Sequence, residues 1–281
     1  MKLIAWDTSS KTGALVAIEW DPMLASNGEP FRIVSEWKLN VNAAQHSERL
    51  LWAIHQMLEA CTWKLAEIDI FGVGVGPGSF TGLRIGITTA RTLAHTTKKP
   101  LVGVSSLAAL ARPVALHFAA QTHRTVVIAT TDAAKGELFA LLGAAKSLVD
   151  CVVMSDGDRP GLWKRGVAEE VASPEALLKT ALKKLAEGKS PEQARWIGVG
   201  EGRNRHAKFW KKLPPGKEAG IALPGIHSVQ GRYLGSLVWE AYQAGLARPP
   251  LDVYPRYLRV SDAERKLRAG LLPAGPTRGN A

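Results

Sequence analysis

Asp7-Thr8-Ser9-Ser10 follows a short apolar run, and Asp132 stands at a similar place in the second half of the chain. A carboxylate and hydroxyls held in a turn between strands can face a phosphate and its magnesium. The same residues are also ordinary turn formers. Asp7, Thr8, Ser9 and Asp132 are therefore candidates for a nucleotide site, with a plain turn as the competing reading. Gly76-Pro77-Gly78-Ser79-Phe80-Thr81-Gly82 leads from a strand into a helix, where phosphates are often cradled. It is not a dinucleotide fingerprint, because Thr81 stands where a third glycine is required. It is not a P-loop either, because no Gly-Lys-Ser/Thr follows. A tight turn that lets a helix pack close to its strand is the plainer account. Gly198-Val199-Gly200-Glu201-Gly202 could serve as an adenosine loop.

His46 opens an amphipathic stretch, and a metal pair on one helical face needs a second ligand four residues on. Position 50 is Leu, and His55, nine residues away at about 100° per residue, points to the opposite side. No metal site is assigned. With no Ser-His-Asp constellation and no GxSxG elbow, no catalytic residue is assigned.

The elements that would position these residues can be read from periodicity. Residues 2–6 and 13–20 form a hairpin, 31–39 a third strand, and 68–75 a buried strand. Leu50, Leu51, Ile54, Met57 and Leu58 recur at helical spacing over 46–60. A helix follows over 79–96, a strand over 101–104, and a helix from near 107 with Ser105 as its cap. The second half repeats the idea with strands at 126–131, 138–142, 149–154 and 196–199. Ser173-Pro174-Glu175 opens a helix there, and a long helix spans 228–245. The expectation is an α/β chain of two similar lobes, each a mixed sheet flanked by helices. The divisions are 1–105, 106–227, a closing segment 228–259 and a flexible tail 260–281.

Gly82, Gly86, Ala90 and Ala94 lie four apart and form one stripe on the 79–96 helix. So small a stripe lets another element approach closely, and two interior glycines cost roughly 1 kcal/mol each against alanine. The close neighbour is either the chain's own 46–60 helix or a helix of another subunit.

The chain has 281 residues, enough to bury a sizeable core. Its two cysteines make no disulfide framework. No apolar run approaches the roughly 20 residues that span a bilayer, and a cytoplasmic protein with no membrane partner is expected. The net charge is +11 and uneven: residues 1–105 hold 10 Lys/Arg against 9 Asp/Glu, the remainder 26 against 16. That asymmetry suits an anionic partner such as RNA, with Arg203, Arg205, Lys208, Lys211 and Lys212 the densest cluster. A solvated basic surface is the competing account.

At Ile4-Ala5-Trp6-Asp7-Thr8-Ser9, His46-Ser47-Glu48-Arg49-Leu50-Leu51 and above all Gly76 to Ala94, the sequence resembles the TsaB (YeaZ) family. Asp132 to Glu137 and Pro255-Arg256-Tyr257-Leu258-Arg259 are weaker echoes. The resemblance implies two ribonuclease-H-like lobes of the actin/sugar-kinase/Hsp70 type. It also implies a non-catalytic scaffold for threonylcarbamoyl transfer to the adenosine beside the tRNA anticodon. The implied partners are a catalytic TsaD-like paralogue, a TsaE-like ATPase, tRNA through the complex, and a homodimer when the chain is alone. No cofactor belongs to the chain itself, and ATP or ADP is left to the assembled complex. The helix-on-helix contact with the paralogue would use His46, Leu50, Ile54, Gly82, Leu83, Gly86, Ala90 and Ala94. A large residue at Gly86 would then abolish association and leave the chain folded. The chain departs from the family in an expanded 21–31 loop and a poorly matching 140–225 region. The competing function is an ATP-dependent phosphotransferase or ATPase of the same fold, using Asp7 and Asp132 around magnesium. A metallopeptidase is disfavoured by the missing metal pair.

Overall fold

A computed structural model describes residues 1–21, 31–40, 46–121, 125–149, 168–177, 179–180, 195–202 and 226–259. β1 (Lys2–Asp7) and β2 (Thr12–Trp20) form a hairpin that β3 (Phe31–Asn40) extends in antiparallel fashion. α1 (His46–Ala60) precedes β4 (Ile70–Gly74), which runs parallel to β1. α2 (Phe80–Thr97) crosses from β4 to its parallel neighbour β5 (Leu101–Val104). The sheet order is β3-β2-β1-β4-β5.

α3 (Ser106–Ala119) leads into a second sheet. It is built from β6 (Thr125–Asp132), β7 (Leu138–Ala144), β8 (Ala168–Ala172) and β9 (Arg195–Val199), with the short α4 (Ala145–Val149) after β7. Its order, β8-β7-β6-β9, repeats the first sheet's pattern up to the fourth strand, and β6 and β9 are its parallel pair. Each sheet is therefore ribonuclease-H-like, and the pair in tandem has the actin/sugar-kinase/Hsp70 architecture.

The hydrophobic pattern shows why the layers form. β1 is buried on both faces, so it reads as a continuous apolar run rather than an alternation. Ile4 and Trp6, with Leu15 and Ala17 of β2, face the core covered by α1 and α2. Leu3 and Ala5, with Val16 and Ile18, face a core shared with α3, α5 (Gly231–Gln243) and the inner side of the second sheet. Val127, Ala129, Leu141 and Ile197 come from that sheet, so one core joins the two lobes.

Residues 248–259 make a strap along both lobes. The Arg248 amide donates to Leu101 at 3.0 Å and the Arg256 amide to Val75 at 2.8 Å, while Val253 is buried against the α1–α2 core. On the other lobe, Arg259 donates to the Ala133 carbonyl and lies 3.4 Å from the Glu137 carboxylate. Arg256 sits 2.9 Å from Glu169 of β8. That Glu169 oxygen has the charge contact without an aligned hydrogen bond, and the other oxygen accepts from Ser105. Burial raises the Glu169 carboxyl to about 7, outweighing the lowering by Arg256 and Ser105.

Several element boundaries differ from the sequence expectations. The 68–75 strand narrows to 70–74, and the 228–245 helix to 231–243. Val149 closes α4 instead of opening a strand, and 150–154 lie outside the described residues. β8 and α4 had no counterpart in the sequence reading.

Candidate functional site

The carboxyl end of β1 meets the turn after β4 and the start of α3, and there Asp7 is wholly buried. Its carboxylate accepts from the Ser9 amide at 3.0 Å, the Ser9 hydroxyl at 2.6 Å and the Ser106 hydroxyl. Ser106 Oγ in turn accepts from the Gly76 amide at 3.1 Å. Burial raises the Asp7 carboxyl above its usual value, against the lowering by these hydrogen bonds. Gly74 makes the room: a Cβ there would lie 1.8 Å from an Asp7 carboxylate oxygen. Asp7 thus joins three elements from inside.

Thr8 and Ser9 are also engaged. Thr8 Oγ1 donates to the Gly82 carbonyl at 2.7 Å, and Ser9 O accepts from the Ser79 amide at 2.7 Å. The glycine turn therefore uses its amide on the β1–β2 hairpin. Asp132, the matching residue of the second lobe, accepts from the Ala134 amide at 3.1 Å within the β6–β7 turn. Gly200 packs on β6, where a Cβ would meet Thr130 O at 2.0 Å, and Glu201 accepts from Thr131 Oγ1 at 2.9 Å. The space among Ser9, Ser106, Thr131, Glu201 and Ser228 is about 10 Å³. That is on the order of one water and far below the several hundred Å³ of a ligand pocket. A larger cavity of about 430 Å³ lies beside it, between the α2 start, the β6–β7 turn and the strap.

The small-residue stripe requires a correction. Gly82, Gly86, Ala90 and Ala94 are buried by the chain itself, as are Leu50, Ile54 and Leu83. A Cβ on Gly82 would lie 2.0 Å from Thr8 O, and one on Gly86 2.2 Å from Thr8 Oγ1. Trp6 Nε1 donates to the Gly86 carbonyl at 3.0 Å. The element that needs the close approach is the end of β1, so these seven residues are core and not a seam for a second chain. His46 begins α1, and its side chain lies outside the described residues. His55 is exposed and pairs with Glu59 at 3.3 Å. Among the described residues no group of three His, Cys, Asp or Glu is placed to hold a metal. The basic cluster at 203–212 also lies outside them.

The outer face of the same helix pair carries what the periodicity overlooked. Leu51 is 50% exposed and Trp52 63% exposed on α1. Leu51 shares the helical apolar spacing, but of those positions only Leu50, Ile54, Met57 and Leu58 join the core.

Sheet order and cleft together define a two-lobed protein of the actin/sugar-kinase class. Residues 40–188 match the family described as TsaD: tRNA N6-adenosine threonylcarbamoyltransferase. The chain is 30% identical over 180 residues to the Escherichia coli (strain K12) tRNA threonylcarbamoyladenosine biosynthesis protein TsaB. That match covers 64% of each chain, so it spans just under two thirds of the relative's length. Identity to the Haemophilus influenzae protein of the same name is 29%, over 79% of this chain and 83% of that one. The crystal structure of YeaZ from Pseudomonas aeruginosa superposes with a TM-score of 0.63 at 22% identity, covering 92% of this chain and all of the other. The chain belongs to the family whose model residues 40–188 match, and within it is similar to the TsaB and YeaZ proteins. Among the described residues no helix is long and apolar enough to cross a membrane.

Proposed function

We propose that this chain is a scaffold subunit in tRNA threonylcarbamoyladenosine biosynthesis, and that it docks a catalytic TsaD-like paralogue through the outer face of α1 and α2. The observation that carries the reading is the exposed Leu51–Trp52 pair on a helix whose inner face is already filled. Large apolar side chains left in water beside each other mark a surface that a partner covers. The relatives' names supply the pathway. A TsaE-like ATPase and tRNA would join through the assembled complex, and a homodimer using the same face would form when the paralogue is absent.

The phosphotransferase reading has less support. Asp7 would have to give up three hydrogen bonds, and the space at its own turn is about 10 Å³, the roomier cavity of about 430 Å³ lying against Asp132 and the strap. The chain is accordingly proposed to hold no nucleotide in this cleft, with ATP or ADP bound elsewhere in the complex. The deciding experiment is co-purification of the TsaD-like protein with Trp52→Glu and Leu51→Glu variants. Both are expected to keep the wild-type melting temperature and lose the partner. Retention of the partner by both variants would overturn the docking surface.

A further inference from the structure

On α2, Phe80, Arg84 and Arg91 share one side of the helix and meet the strap. The Arg84 guanidinium lies 3.9 Å over the Phe80 ring, and its Nε is 3.3 Å from the Tyr257 hydroxyl. Phe80 and Tyr257 have ring centroids 5.1 Å apart. Seven residues further along, about 10 Å of helix axis, Arg91 lies 4.8 Å over the Tyr254 ring. It donates to the carbonyls of Pro250 (3.2 Å) and Leu251. Neither arginine has a carboxylate partner among the described residues, since both are held by rings and neutral oxygens. The three rings remain open to solvent: Phe80 is 45% exposed, Tyr257 45% and Tyr254 47%.

Charge on this strip is one-sided. α2 contains no Asp or Glu in 18 residues. The strap's Arg248, Arg256 and Arg259 are matched in number by Asp252 and by Glu137 and Glu169, which Arg259 and Arg256 engage, so the excess positive charge on the strip is that of Arg84 and Arg91. Exposed rings that alternate with fixed, uncompensated guanidinium groups are the chemistry of single-stranded nucleic acid binding. Bases stack on the rings, and phosphates take the positive charge. A protein partner would favour a drier centre and its own carboxylates.

We infer that the Phe80–Arg84–Arg91–Tyr254–Tyr257 strip binds unpaired nucleotides of RNA. The inference deepens the proposed role in tRNA modification, but its test needs no paralogue and so fails or succeeds separately.

The purified chain is titrated with a labelled 12-nucleotide single-stranded RNA, its duplex, and an unmodified tRNA transcript over a range of salt. The expected result is salt-sensitive binding of the single strand and the tRNA, and weaker binding of the duplex. Arg84→Gln and Arg91→Gln should each reduce the log–log salt slope by roughly 0.7. Tyr254→Leu keeps an apolar side chain on the surface but removes the stack, and should weaken the single strand roughly tenfold. Melting curves on each variant separate loss of binding from loss of fold, and Tyr254→Leu serves if Arg91→Gln loosens the strap. Equal affinity for single strand and duplex would overturn the inference. So would unchanged affinity in all folded variants.

Discussion

Gly86 shows how one atom's worth of space fixes the first lobe. A methyl group there would sit 2.2 Å from Thr8 Oγ1, while the next Thr8 atoms are 3.5 Å or more away. The conflict is with a single oxygen, which makes it separable. Gly86→Ala should destabilise the isolated chain by roughly 1–3 kcal/mol, despite a gain of about 1 kcal/mol in helix propensity. Thr8→Ala should cost about 1 kcal/mol through the lost hydrogen bond to Gly82. The double variant should be more stable than Gly86→Ala alone, because the oxygen in the way has gone. Thermal unfolding of the four proteins checks this, and strict additivity would refute the steric account. Glu169 sets a second residue-scale expectation. Its carboxyl sits at about 7 in the fold against 4.5 in the unfolded chain, so the folded form holds a proton between those values that the unfolded chain has released. Its contribution to stability is complete below pH 4.5, falls as pH rises through 7, and is level above that. The span is on the order of 3 kcal/mol. Glu169→Gln should flatten stability against pH between 5 and 8, as read by urea unfolding at several pH values.

At the scale of elements, legibility followed whether the signal was local. The starts of α2 and α3 are legible within a residue because the Gly76-Pro77-Gly78 turn precedes one and Ser105 caps the other; in the structure Ser79 and Ser105 each accept from an amide three residues on, Gly82 and Ala108. The β1–β2 hairpin and α1 were legible from apolar spacing alone. β8 was not, because Ala168-Glu169-Glu170-Val171-Ala172 puts two acids at its centre and owes its pairing to β7. The stripe on α2 was legible as a close approach but not as to what. Spacing along a helix says how near a neighbour may come, and Thr8, just after β1, is 74 residues distant in sequence from Gly82 of the helix it touches. In the candidate site, Asp7, Thr8 and Ser9 were picked out by type, yet Ser106, the donor that locks Asp7, lies 99 residues away and carries no local mark. Ser105 yields a testable case at this scale. Ser105→Ala should cost roughly 1–2 kcal/mol. Ser105→Asp, an equally good cap in an isolated helix, should fail to restore it, because its carboxylate would face Glu169. Chemical denaturation midpoints of the two variants make the comparison.

At the scale of the molecule, the lobes are held together by the shared core and by the strap. Arg256 is the strap's charged link to the second sheet, with Glu169 fully buried against it. Removing one partner of a buried pair typically costs 3–5 kcal/mol, but a carboxyl already near neutral can take up a proton and escape part of that cost. Arg256→Ala should therefore destabilise the chain more at pH 8 than at pH 6. Equal loss at both values would mean that the link is packing and not charge.

The position of α5 has a consequence for biosynthesis. The first sheet is complete in sequence by Val104, yet the helix covering its Leu3, Ala5, Val16 and Ile18 face begins only at Gly231. Chains emerge from the ribosome N-terminus first and fold domain by domain. Here a half-covered sheet must wait through the synthesis of more than 120 further residues. During that interval the nascent protein presents an apolar sheet face to its surroundings, so its yield in the cell will depend on the speed of translation and on chaperone supply, two quantities that the finished fold does not record.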